Sequence, residues 1–265
     1  LGKRKVADIT YTDIEDLHHK LQNTPYQANR SYRILRAMFN WAEKRGLRER
    51  SSNPAQGLQE YKEVKRKRYL SHEEFSNLLQ VLEERESAGL ESPYVAAAFR
   101  LLMHTGCRLG EIQTLKWEYV DFSKSCLKLP DSKTGEKWVY VGHVAMDILR
   151  VLRREAHNPY VIASEVKDSY VNDLQKPWRR IRAQAGIDDV RIHDLRHTFA
   201  SFAIMNGTSL TEVGKLLGHT QAQTTMRYTH LSDQFMQQSA NRVADVMANL
   251  HPKADESNVL HFRPQ

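Results

Sequence analysis

The sequence predicts a mainly α protein with one small antiparallel β-sheet, divided into two domains. Apolar residues recur at helical spacing over most of the 265 positions. Between Trp117 and Val141 the period shortens to about two, in WEYVDF, CLKL and KWVYV. The net charge of +7 is unevenly placed: residues 1–70 hold sixteen Lys and Arg against eight Asp and Glu, and the rest of the chain holds 23 against 24. Charge and pattern together put a helical domain at 1–64, a basic linker to about 70, and a larger domain over 65–265 that includes a C-terminal helix and tail from about 232.

In the first domain, Thr12 and Glu15 have the spacing of a capping box, and Ile14, Leu17 and Leu21 continue as one apolar stripe ending near Asn23. Pro25 precedes a longer helical run. Its Ile34, Leu35, Met38, Phe39 and Trp41 are expected to face one way and Arg30, Arg33 and Arg36 another, with Gly46 as the stop. Ser51 to Leu58 reads as a turn with a short helix. The stretch YKEVKRKRYL then carries five basic residues, Lys65, Arg66, Lys67 and Arg68 among them, with little apolar patterning. The arginine ridge and this linker are candidate polyanion contacts, because neutralising phosphates and releasing their counterions is the usual use of such a charge excess.

In the second domain, Ser71 to Glu74 forms another capping box, and Phe75, Leu78, Leu79 and Leu82 mark the buried face of the helix it opens. A helix over about Pro93 to Thr105 ends at Gly106. The period-two stretches follow, with turn chemistry from Asp131 to Gly135 and Lys133 on the Ser-Lys-Thr-Gly tip. Helical spacing returns after Gly142, over about 144–156, 168–185, 193–206, 209–217, 221–229 and 233–249, with Tyr160-Val-Ile as a short extended piece. The tail is polar apart from Val259, Leu260 and Phe262 and reads as a frayed terminus.

Composition narrows the class. At 40% hydrophobic and 27% charged residues the chain reads as an ordinary globular protein, and no apolar run approaches a bilayer span. The N-terminus lacks the apolar core and cleavage site of a signal peptide, so a cytoplasmic location is expected. Cys107 and Cys126 offer neither a disulfide framework nor metal-ligand spacing. The chain begins at Leu1, so a domain preceding it is an open expectation.

His193 and Arg196 stand three residues apart in a segment whose Leu195, Phe199, Phe202 and Ala203 recur at helical spacing, so both can project from one face. His219 closes a Leu-Gly-His at a break between two helical runs, and Tyr228 follows nine residues later in TTMRYTH. Taken singly, each has a structural reading. Taken in order, TGCRLGEI around Arg108, Lys133 in its hairpin, HDLRH from His193 to His197, LGH ending at His219, and Tyr228 resemble the tyrosine site-specific recombinases, or phage-type integrases. The likeness spans most of 68–230, and the basic helical first domain resembles that family's core-binding domain.

The resemblance implies a metal- and ATP-independent enzyme that cuts and rejoins DNA through a 3′-phosphotyrosyl intermediate, with no cofactor. Tyr228 would be the nucleophile, His193 its proton acceptor, and Lys133 the general acid at the departing 5′-oxygen. Arg108 and Arg196 would offset charge on the phosphate, to which His219 donates a hydrogen bond. Glu111 would orient an arginine. His197, one residue past Arg196, is expected to pack or support. The implied partners are double-stranded DNA attachment sites, three further copies of the chain in a tetramer on DNA, and accessory DNA-bending proteins; no membrane is involved. Type IB topoisomerase-like relaxation, and a non-catalytic DNA-binding accessory protein on the same scaffold, remain as alternatives.

Overall fold

The chain divides between Lys67 and Arg68 into two units, each making its own internal contacts. The computed structural model describes residues 2–64, 66–132, 135–218, 222–229, 231 and 236–250.

In the first unit, α1 (Tyr11–Lys20) is capped by Thr10, whose hydroxyl accepts from the Asp13 N–H while the Asp13 carboxylate accepts from the Thr10 N–H. The capping box therefore sits two residues before the Thr12–Glu15 pair. Helix α2 (Pro25–Lys44) buries Ala28, Tyr32, Phe39 and Ala42 against Ile9, Ile14 and Ala55. Leu35 packs beside them, but Ile34, Met38 and Trp41 are exposed. The expected single apolar seam is thus two faces: α1 packs on α2 along one stripe, and the stripe of Ile34, Met38 and Trp41 stays exposed. Residues 51–58 form turns without the short helix. The segment beyond is held by Asn29, fully buried, which accepts from the Tyr61 N–H at 2.9 Å and donates to the Tyr61 carbonyl at 2.8 Å.

In the second unit, α3 (His72–Ser87) starts from the Ser71–Glu74 capping box. Helix α4 (Pro93–Thr105) is apolar nearly all round and becomes the central helix, with α6 (His143–Val151) and α8 (Ile192–Met205) packed on it. Between them lie α5 (Leu109–Gln113), which the sequence reading missed, and a sheet of β1 (Val120–Asp121), β2 (Cys126–Ser132) and β3 (Gly135–Tyr140) in that order. Both ladders are antiparallel, and Leu127 pairs with Val139 and Leu129 with Lys137. Helix α6 ends earlier than expected, and α7 (Gln175–Gln184) starts later. Asp168 has φ of 54°, Tyr170 bridges Ala163, and the Asp173 carboxylate caps the true first turn by accepting from the Gln175 N–H.

Helix α9 (Leu210–Leu217) ends at Gly218, α10 (Ala222–Thr225) runs directly into a 3-10 turn over Met226–Tyr228, and α11 (Met236–Leu250) closes the described chain. The large core contains Trp178, Phe99, Leu101, Leu127 and Ile181. A smaller cluster of Ala200, Ile204, Val213, Leu217 and Leu231 encloses Tyr228.

Candidate active site

Arg196 is brought to the site by α8, whose first turn is fixed by the buried Asp194 carboxylate accepting from the Arg191 N–H at 2.9 Å. Only 4% of Arg196 is exposed. Its Nη1 donates to the Gly106 carbonyl at 2.6 Å and its Nη2 to the Leu217 carbonyl at 2.8 Å, so one guanidinium ties the ends of α4 and α9 together. Burial, then the charge of Arg108, lowers its pKa from the ordinary arginine value.

Gly106 makes that geometry possible. It has φ of 62°, and a Cβ there would lie 2.5 Å from Phe199 Cδ1 and 2.9 Å from Leu217 Cδ2. The chain then turns through Cys107 into Arg108, which precedes α5. The Arg108 N–H donates to Glu111 Oε2 and its Nη1 to Glu111 Oε1, both at 2.8 Å. Glu111 also accepts from Lys137 Nζ at 2.8 Å. Burial pushes the Glu111 carboxyl up, but the Lys137 hydrogen bond and the Arg108 N–H outweigh it and hold the group below the usual carboxylate range.

Tyr228 is 5% exposed, and its hydroxyl lies 2.6 Å from His197 Nδ1. The rings of His193 and His197 meet edge-on with centroids 4.9 Å apart. The nucleophile candidate is therefore hydrogen-bonded to His197, whose ring in turn meets that of His193. Position 197 does point away from Arg196, but it lies one helical turn beyond His193, on the same side. That i, i+4 spacing was the signal in the sequence. Desolvation by the surrounding protein, then the charge of Arg196, lowers the His193 pKa. Burial raises that of Tyr228, and Arg227 and Arg196 only partly oppose it.

Lys137 is the other residue that sequence reasoning passed over. The alternation in KWVYV puts it on the inward face of β3 with Val139, where a core strand places apolar groups. Lys133, His219 and Lys65 lie outside the described residues. Of the remaining polyanion candidates, Arg30, Arg36 and Lys67 are exposed and Arg66 is half-buried. Arg33 is committed to Glu60 and Glu63, and Arg68 to Glu74 and Asp189. Arg68 begins the second unit with both carboxylates in hydrogen-bond reach. Among the described residues no group of three His, Cys, Asp or Glu side chains converges as a metal site, and no helix is long and apolar enough to cross a membrane.

Residues 68–234 match the sequence profile of the Phage integrase family. Tyrosine recombinase XerC of Staphylococcus carnosus (strain TM300) is 28% identical over 208 residues, covering 72% of this chain and 65% of that protein, so the chain spans just under two thirds of the relative's length. XerC of Pediococcus pentosaceus is 26% identical over 226 residues, covering 80% of this chain and 73% of its own length. Among solved structures, a lambda integrase(75-356) dimer bound to a COC' core site shares the fold, with a TM-score of 0.66 at 20% identity over 86% of this chain and 82% of that one. XerA recombinase gives 0.52 at 26% identity over 95% and 86%. With the profile covering well over half of its residues, the chain belongs to the phage integrase family.

Proposed function

We propose that this protein is a site-specific DNA recombinase that breaks and rejoins strands through Tyr228, without metal or ATP. One observation carries the reading: segments far apart in the chain bring a buried tyrosine hydroxyl onto an imidazole beside the charges of Arg196 and Arg108. The tyrosine oxygen attacks the scissile phosphorus and the bond to the 5′-oxygen breaks, leaving a 3′-phosphotyrosyl link and a 5′-hydroxyl. Because the link keeps the phosphodiester's energy, a 5′-hydroxyl from a second strand can reverse the step.

Arg108 and Arg196 stabilise the charge that builds on the non-bridging oxygens, and His219 donates a hydrogen bond there. The phenol's proton goes to the His193–His197 pair, with His197 as the first stop, and Lys133 supplies a proton to the departing oxygen. The partners are duplex attachment sites and a homotetramer on DNA; a dimeric lambda integrase on its core site, on the same fold, supports duplex DNA. The Arg30 and Arg36 ridge, with Lys65, Arg66 and Lys67, contributes phosphate contacts.

The test begins with a randomised library of nicked duplexes. Wild type is expected to capture a subset as protein–DNA adducts that survive denaturing gels, and Tyr228→Phe to capture none. An adduct from Tyr228→Phe overturns the nucleophile, and failure of wild type to capture any sequence overturns the reading.

A further inference from the structure

Lys137 sits where the fold has little use for a cation. Only 9% of its side chain is exposed, and its strand neighbour on the same face, Val139, is 1% exposed. Burying an ammonium costs several kcal/mol on the order-of-magnitude scale for ions in proteins, and an apolar residue opposite Leu129 would avoid that cost. Two contacts account for its presence. Its Nζ donates to Glu111 Oε2 at 2.8 Å, and its stem lies against Gly218, where an added Cβ would be 2.8 Å from Lys137 Cδ and 3.2 Å from Nζ.

The charge count decides what these contacts do. Glu111 fixes Arg108 through backbone and side chain at once, which orients the guanidinium but also cancels its charge. A neutral pair attracts a phosphate poorly. With Lys137 on the same carboxylate the group of three carries one net positive charge, and Arg108 is held in place and remains an effective anion ligand.

We propose that Lys137 is a positioning residue of the phosphate site: it neutralises Glu111 so that Arg108 is both oriented and electrostatically available, and its stem braces the left-handed Gly218 turn that leads into His219. This rests on the recombinase reading above. Lys137, opposite Leu129 in the β2–β3 ladder, then has a task separate from the proton donation proposed for Lys133.

The test uses the duplexes that wild type captures, in single-turnover cleavage. Lys137→Met should lower the cleavage rate by about 10²-fold, the scale for losing one preorganised electrostatic contact. Lys137→Arg should retain most of the rate. The deciding variant is the double Glu111→Gln, Lys137→Met, which removes both charges: it should cleave faster than Lys137→Met alone, because the cancelling carboxylate is gone. Thermal melting reports folding of each variant separately. Lys137→Met cleaving at the wild-type rate, or a double variant slower than the single one, overturns the proposal. If wild type captures no duplex, it is the recombinase reading that has failed.

Discussion

His197 Nδ1 and the Tyr228 hydroxyl, 31 residues apart in sequence, lie 2.6 Å apart, and the Tyr228 ring belongs to a buried, mainly aliphatic cluster. A phenol in such a place needs a partner, since a buried hydroxyl without one costs about 1–3 kcal/mol. His197→Ala should therefore destabilise the protein by about that amount in urea unfolding. Adding Tyr228→Phe should return part of the loss, because both halves of the pair are then gone. Additive losses would show that the pair carries no coupling. In single-turnover cleavage His197→Ala should be slower by about 10²-fold, the lower end of general-base contributions.

Alkaline pH offers a second reading of the same hydroxyl. Burial raises the Tyr228 pKa above the ordinary phenol value of about 10. The fold thus favours the neutral form: its stabilisation is complete below pH of about 10 and is lost as pH rises from there through the folded-state pKa. The thermal midpoint of wild type should fall with pH above about 10 more steeply than that of Tyr228→Phe. Parallel curves would mean that Tyr228 ionises in the fold as it does in the unfolded chain.

Gly106 and Gly186 both have positive φ, 62° and 67°, but differ in surroundings: a Cβ at Gly106 collides with Phe199 and Leu217, and one at Gly186 meets nothing within 4 Å. Gly186→Ala should cost only the left-handed backbone strain of about 1–2 kcal/mol. Gly106→Ala should add overpacking of about 1–3 kcal/mol, and should slow cleavage because the Gly106 carbonyl anchors Arg196. Equal losses in urea unfolding would remove the packing argument.

The layout of the second unit was legible because its signals are local: the Ser71 capping box, the apolar run of α4, and a switch to period two that lasts only as long as the sheet. The motif residues were legible as a set. Which imidazole meets Tyr228 was not, because the answer depends on how α10 and the 3-10 turn return the chain to α8. In sequence His197 stands next to Arg196, whereas on the helix it is one turn from His193. Lys137 was hidden by its company: in KWVYV a lysine reads as the polar end of a strand until the register sets it opposite Leu129. Helix α7 starts later than the apolar spacing predicts because Asp168 adopts a left-handed turn that no such spacing records.

The arginines of α2 are distinguished by what they already bind. Arg33 spends its fork on Glu60 and Glu63, and Glu60 is held below the usual carboxylate range chiefly by the Arg33 hydrogen bond. For Arg33 to bind a phosphate, those carboxylates would have to exchange partners. Arg30 and Arg36 are exposed on the same helix. Each phosphate neutralised by such a cation contributes about 0.9 to the slope of log K against log salt on duplex DNA. With a duplex of unrelated sequence, replacing both Arg30 and Arg36 by Ala should lower the slope by about 2, whereas Arg33→Ala should change it by less than half a unit. The three would then be one helix's arginines with two functions, Arg33 fastening the 59–64 segment and its neighbours meeting the polyanion. If Arg33→Ala moves the slope as far as Arg30→Ala does, the carboxylates are not holding it, and all three arginines act as one ridge.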